Sequence, residues 1–144
     1  MIYPLQKCHR FGNFLIFLIC ILLYLLNILI LSSINYYELN VFFTGYFNDL
    51  LAPLLLFSYI NLILSLNNKN VYSIKYLIII IILCSFIWEY LIPFFKPTSV
   101  TDPIDVICYL TGTIIYWMIH KNWTQKNINK MVVTNNILNR DREV

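Results

Sequence analysis

The stretch FGNFLIFLICILLYLLNILILSSINYY, from Phe11 to Tyr37, contains no charged side chain. About 20 apolar residues are enough for a helix to cross the hydrocarbon core of a bilayer, which is about 30 Å thick. The run is much longer than the apolar part of a cleaved signal peptide, and Ser32 and Ser33 make a poor cleavage site. We therefore predict a membrane-spanning helix that stays attached to the chain.

Three further apolar runs begin at Leu50, Tyr76 and Ile104, and Glu89 and Asp105 are the only charged residues inside them. Only 12% of the chain is charged, whereas soluble domains carry about 25%. The sequence therefore predicts an all-α integral membrane bundle of four transmembrane helices. These form a single transmembrane domain over residues 1–144, with helices at about 13–33, 48–67, 75–94 and 103–120.

The basic residues predict the orientation of this bundle. Lysine and arginine concentrate in the cytoplasmic segments that flank transmembrane helices. Nine of the ten basic residues lie before the first helix, between the second and the third, or after the fourth. Only Lys96 lies on the other side of the bundle, together with five of the seven acidic residues. Both termini are therefore expected to be cytoplasmic.

Residues 121–144 are expected to form a polar, basic cytoplasmic tail. Its pattern fits a short amphipathic helix on anionic headgroups as well as it fits disorder. Because topology accounts for the positive charge, no nucleic-acid partner is expected. His9 and His120 fall at the same side and are interpreted as interfacial residues.

Polar residues also concentrate at the acidic side, where helix capping explains part of the pattern. Asp102 precedes Pro103, which suits the first position of a helix, so Asp102 is a predicted N-cap with Asp105 in the first turn. By the same reasoning Asn48 is a predicted N-cap, followed by Asp49.

Capping does not explain Glu89, which lies inside the third apolar run. Ionisable residues within a transmembrane segment are costly and usually functional. Pro93 lacks a backbone N–H and so cannot donate to the carbonyl of Glu89, and Pro53 likewise cannot donate to that of Asp49. Each position thus offers a carboxylate and a carbonyl oxygen to a cation or a hydrogen-bond donor.

Helical spacing places Asp102, Asp105, Tyr109 and Gly112 on one face of the fourth helix. Gly112 lets another helix approach closely, so this face is expected to point into the bundle. The predicted binding residues are Glu89, Asp105, Asp102, Asp49, Asn48, Lys96 and Tyr109. The predicted packing residues are Gly112, Pro53 and Pro93. A Mg²⁺ or Ca²⁺ ion, held by Glu89, Asp102 and Asp105, is one way to neutralise the clustered carboxylates.

The segment from Asn48 to Tyr116 resembles the VanZ-like family of small bacterial membrane proteins. The resemblance rests on Glu89 near the end of the third helix, a loop with proline, and the sequence TDPIDVICYLTG from Thr101 to Gly112. FNDLLAPLLLF in the second helix is similar to a further piece of the family. The resemblance implies a bacterial cytoplasmic membrane and a cell-envelope role. A short four-helix subgroup is labelled as magnesium–citrate secondary transporters.

Three classes of function remain open from the sequence. The favoured one is a non-enzymatic protein whose outward-facing acidic pocket binds an envelope lipid or a glycopeptide-type antibiotic, directly or through a cation. The second is a small secondary transporter of a divalent metal–citrate complex, which with four helices would need a homo-oligomer. The third is a membrane hydrolase or transferase with a carboxylate as general base; the sequence offers it no Ser/His or Cys/His set.

Overall fold

The computed structural model describes residues 2–29, 42–91, 95 and 102–140 of the chain. They form four α-helices: α1 is Ile2–Leu29, α2 is Phe47–Leu66, α3 is Ile74–Phe86 and α4 is Pro103–Arg140. A π-helical turn, Phe42–Tyr46, precedes α2, and a second one, Ile87–Leu91, continues α3. Since the described residues contain no strand, the prediction of an all-α fold is confirmed.

Within the described residues, three helical segments are long and apolar enough to cross a membrane: His9–Leu29, Phe47–Leu66 and Ile74–Leu91. They correspond to the first three predicted spans, whereas α4 is less apolar and is not among them. Large apolar side chains such as Leu22 and Trp88 are exposed on these segments. Helices with apolar residues on every side belong in the interior of a large protein or in a bilayer. The chain is therefore a membrane protein.

The helices differ from the predicted bounds mainly at their ends. α2, α3 and α4 begin within one residue of prediction, whereas α1 begins at Ile2 rather than near residue 13. α4 continues to Arg140, so the part of the expected tail that the structure describes is helical. The predicted helix ends at 30–33 and 92–94 lie outside the described residues.

α4 is the central helix of the bundle. It packs against α1, α2 and α3, and α1 also packs against α2, but the described residues of α2 and α3 show no comparable mutual packing. The buried apolar residues lie mainly along the contacts of α4: Cys20, Leu51, Leu54, Phe57, Leu77, Ile81, Tyr109 and Tyr116. The weak pairing of α2 with α3 leaves a groove between them.

α4 and α2 approach each other closely at Gly112. A Cβ atom on Gly112 would collide with the carbonyl oxygen of Leu50 and would lie 3.0 Å from Cγ of Pro53. Both Gly112 and Pro53 are buried. The missing side chain of Gly112 therefore sets the spacing of the two helices that carry Asp49 and Asp105.

Candidate functional site

Four carboxylates from three elements meet at one end of the bundle. Asp49 lies in the first turn of α2, Glu89 in the π-turn after α3, Asp102 immediately before α4, and Asp105 in the first turn of α4. Glu89 is only 3% exposed, and the other three are half-buried. We call these four residues and Tyr109 the acidic cluster.

The hydroxyl of Tyr109 lies between two of these carboxylates. It is 3.2 Å from Oδ1 of Asp49 and 3.5 Å from Oε1 of Glu89. A phenol has one proton to donate, so at any moment it donates to one of the two. The side chains of Asp49 and Asp105 are also within hydrogen-bonding reach of each other. Such a bond requires a proton on one of the two carboxyl groups.

Asp102 has a structural role that the sequence predicted. Its Oδ1 accepts a hydrogen bond of 2.9 Å from the backbone N–H of Ile104, which confirms it as the N-cap of α4. Its own backbone N–H donates to Oε2 of Glu89 at 3.3 Å, and its Oδ2 accepts from the hydroxyl of Tyr46 at 3.3 Å. The negative charge of Asp102 raises the pKa of Tyr46, which lies just before α2. Asp102 thus links Glu89 to the start of α4.

The π-turn explains how Glu89 reaches the interior. Leu77, Ile81 and Ser85 are buried at four-residue spacing and form the face of α3 that packs on α4. In an α-helix each residue turns by about 100°, so a four-residue spacing drifts steadily around the helix. In a π-helix, which has i→i+5 hydrogen bonds, each residue turns by a smaller angle than in an α-helix. The π-turn therefore corrects the drift. Glu89 therefore stays on the buried face.

Asn48 does not act as the predicted N-cap. The π-turn carries the helix back to Phe42, so Asn48 lies inside a continuous helical segment, and the N-cap of α2 is Tyr46, which makes no side-chain cap bond. Instead, Oδ1 of Asn48 accepts a 2.8 Å hydrogen bond from Nδ2 of Asn27 on α1. Nδ2 of Asn27 also lies 2.6 Å from the carbonyl oxygen of Phe43, and its buried Oδ1 has no hydrogen-bond partner among the described residues. These bonds fix α1 to the start of α2 beside the acidic cluster.

A groove of about 770 Å³ extends from the acidic cluster between α2 and α3. Its polar end contains Asn48, Asp49 and Tyr109. Its other lining residues are mostly apolar: Phe17, Tyr24, Leu51, Ala52, Pro53, Leu55, Leu56, Tyr59, Ile81, Cys84, Ser85 and Trp88. Tyr59 and Trp88 are more than half exposed, so the groove opens sideways on the surface that faces lipid.

Two of the predicted site residues, Lys96 and Pro93, lie outside the described residues. Within the described part of the chain, no three or more His, Cys, Asp or Glu side chains are arranged to hold a metal ion. The Mg²⁺ or Ca²⁺ site at Glu89, Asp102 and Asp105 gains no support from this geometry and stays a prediction. The contacts found here are hydrogen bonds among protein groups.

A second polar network, at the opposite end of the bundle, was not predicted. His120 is 6% exposed rather than interfacial, and its Nε2 lies 3.0 Å from Nδ1 of His9. The hydroxyl of Tyr116 donates to Oδ1 of Asn13 at 2.7 Å and accepts from Nδ2 of Asn61 at 2.8 Å. All three of these side chains are fully buried. The network joins α1, α2 and α4.

Asn61 and Tyr72 extend this network to the loop between α2 and α3. The amide of Asn61 brackets the backbone of Val71, accepting from its N–H at 2.7 Å and donating to its carbonyl at 3.0 Å. The ring of Tyr72 stacks on His120 with centroids 3.5 Å apart, and burial raises the pKa of Tyr72 to about 12. One sequence signal was available, since Tyr116 and His120 continue the helical face of Asp105 and Tyr109.

The chain matches no known protein family, no curated protein and no solved structure. The site is therefore interpreted from its own geometry.

Proposed function

We propose that α4 is the fourth transmembrane helix and that both termini lie on the cytoplasmic side of a bacterial membrane. Its polar residues lower its mean hydropathy but face the other helices, since Thr113, Tyr116 and His120 are buried. Its outward side chains are apolar, as at Ile107 and Ile114. The concentration of basic residues at one end of the bundle supports the orientation.

In this orientation the protein binds an amphiphilic molecule with a positively charged headgroup. One observation carries the proposal: an apolar groove, open towards lipid, has Asp49 and Tyr109 at one end of its lining. The groove follows α2 from Asn48 to Tyr59, which is about 16 Å at 1.5 Å per residue. Half of a 30 Å hydrocarbon core is about 15 Å. The groove therefore has the length of one lipid chain in one leaflet.

The polar end of the groove favours a cation for electrostatic reasons. Asp49 is half-buried near three further carboxylates, where the effective dielectric constant is lower than in water. An ammonium group there adds a charge-assisted hydrogen bond, and such bonds contribute roughly 1.5–3 kcal/mol. A sulfate or phosphate at the same place would be repelled. Binding of this kind needs no reaction, so the protein is proposed to be non-enzymatic.

The favoured interpretation from the sequence was a protein that binds an envelope lipid or a glycopeptide-type antibiotic, and this proposal adds that the ligand carries a positive charge. An envelope lipid with an amino group, or an amphiphilic antibiotic with one, combines a chain for the groove with a cation for Asp49. The envelope role is what the resemblance to VanZ-like proteins implies, and it stays a proposal because no family model matches the chain. The geometry gives no particular support to a metal–citrate transporter or to a hydrolase.

Quenching of Trp88 tests the proposal, because this residue lines the groove. With Trp117→Phe and Trp123→Phe, Trp88 is the one tryptophan left in the chain. The protein is placed in nanodiscs of zwitterionic lipid and titrated with two spin-labelled amphiphiles of equal chain length. One carries a primary ammonium head, which can donate to Asp49, and the other a sulfate head. Since every 1.4 kcal/mol corresponds to tenfold in affinity, we expect half-maximal quenching at a roughly tenfold lower concentration of the cation.

Two variants separate the headgroup from the chain. Asp49→Asn keeps the shape and should remove the preference for the cation, whereas Glu143→Gln, a carboxylate near the C-terminus, should retain it. Ala52→Phe fills the groove at an exposed position without adding a tryptophan and should weaken both amphiphiles. Equal quenching by the two amphiphiles in the unsubstituted groove would refute the headgroup assignment. Unchanged quenching in Ala52→Phe would remove the groove as the site.

A further inference from the structure

A second cleft, of about 250 Å³, lies at the end of the bundle where most basic residues are found. It opens between the start of α1, the loop before α3 and the middle of α4. Its lining residues include His9, Tyr72, Trp117, His120, Lys121 and Gln125. The groove proposed to bind an amphiphile is at the other end, so this cleft is independent of it.

The two histidines can present a hydrogen-bond donor to the cleft. Their facing nitrogens, Nδ1 of His9 and Nε2 of His120, are 3.0 Å apart and share one proton when both rings are neutral. If His120 donates this proton, the remaining proton of His9 sits on its Nε2. The half-buried ring of His9 lines the cleft, so an anion there favours this tautomer.

Lys121 supplies a permanent positive charge at the same cleft. Lys121 is exposed, and its Nζ lies 4.9 Å from the centre of the Trp117 ring, which places the ammonium beside the cleft that both residues line. Gln125 follows four residues later and therefore lies on the same side of α4. Its side-chain amide adds a neutral donor to those of Lys121 and His9.

We propose that this cleft binds a phosphate group, supplied by the headgroup of an anionic lipid. An ammonium, an imidazole and an amide together offer phosphate both charge and hydrogen bonds. Basic pockets between transmembrane helices are known sites for anionic headgroups. Trp117 also has the amphipathic ring that is favoured at the membrane–water interface, where such headgroups lie. Free phosphate has the same chemistry, and the experiment distinguishes the two sources.

Trp117 reports on the site because Lys121 lies over its ring. With Trp88→Phe and Trp123→Phe, the fluorescence of Trp117 is followed in phosphatidylcholine nanodiscs as short-chain phosphatidylglycerol is added. We expect a saturable change. Lys121→Gln should weaken the apparent affinity about fivefold, the contribution of one basic side chain near an anionic surface. Lys126→Gln is the matched control, since this exposed lysine on α4 does not line the cleft.

The outcomes separate the ligand sources from a general surface effect. Saturation by phosphatidylglycerol, weakened by Lys121→Gln and not by Lys126→Gln, supports the lipid site. Equal saturation by inorganic phosphate, with the same response to Lys121→Gln, supports the phosphate site and overturns the lipid as its source. No saturable change, or equal weakening by both lysine substitutions, overturns the site itself.

Discussion

Gly112→Ala tests whether close helix packing positions the acidic cluster. In the helix interior, alanine is favoured over glycine by about 1 kcal/mol in water. At Gly112 the added Cβ would collide with the carbonyl oxygen of Leu50 and press on Pro53 at 3.0 Å. Neither the backbone carbonyl of Leu50 nor the ring of Pro53 can rotate out of the way, so α4 itself must move away from α2.

The magnitude follows from these two opposing terms. Overpacking of a well-packed contact costs about 1–3 kcal/mol, and the rigid partners at Gly112 place it at the upper end. After subtraction of the helix-propensity gain, Gly112→Ala should lower the free energy of unfolding by about 1–2 kcal/mol. Gly12→Ala is the matched control, because its Cβ would meet Trp123 at 3.4 Å, an ordinary contact. It should be neutral or up to about 1 kcal/mol more stable.

The assay is reversible unfolding of both variants in mixed dodecylmaltoside and dodecyl sulfate micelles, followed by circular dichroism. The expected difference between the two variants is about 1–3 kcal/mol, because Gly112→Ala loses stability whereas Gly12→Ala keeps or gains it. If Gly112→Ala proved as stable as Gly12→Ala, the α2–α4 contact would not be tight. The inference that Gly112 sets the spacing of Asp49 and Asp105 would then fail.

Substitutions at two further residues test the polar contacts at each end of the bundle. Tyr116→Phe removes the hydroxyl that joins Asn13 and Asn61, and it should lower the free energy of unfolding by about 1–3 kcal/mol in the same assay because buried amide groups lose their partner. An unchanged stability would contradict the network. Asp102→Ala removes the acceptor for the N–H of Ile104 and should lower the free energy of unfolding by about 1 kcal/mol. Asp102→Asn keeps an accepting oxygen and should lower it much less. Equal losses of stability would show that the charge of Asp102, and not its capping bond, matters.

The sequence predicted the helices because each apolar run carries its own signal. It also indicated that Asp49, Glu89, Asp102 and Asp105 belong to one end of the bundle, since each lies next to a helix end on the same side. That these four residues come close together follows from the order and direction of the helices, which the positions of the apolar runs define. Side-chain partners within the cluster needed the structure.

The π-turns and the second network could not be predicted in this way. A π-turn changes the register of a helix without any distinct residue pattern, so Asn48 was assigned to a helix start that lies further back at Phe42. Asn13 and Asn61 lie in different apolar runs, and nothing in the sequence links either of them to Tyr116. Only the packing of α1, α2 and α4 brings these residues within hydrogen-bonding distance.

The two polar clusters together explain why a groove persists between α2 and α3. At one end, Asn61 of α2 holds the backbone of Val71, and the chain then enters α3 at Ile74. At the other end, Glu89 accepts from the backbone N–H of Asp102, which ties the end of α3 to the start of α4. Between these attachments α3 packs on α4 and leaves α2 uncovered. The carboxylate that holds α3 on α4 therefore also keeps the groove open beside Asp49.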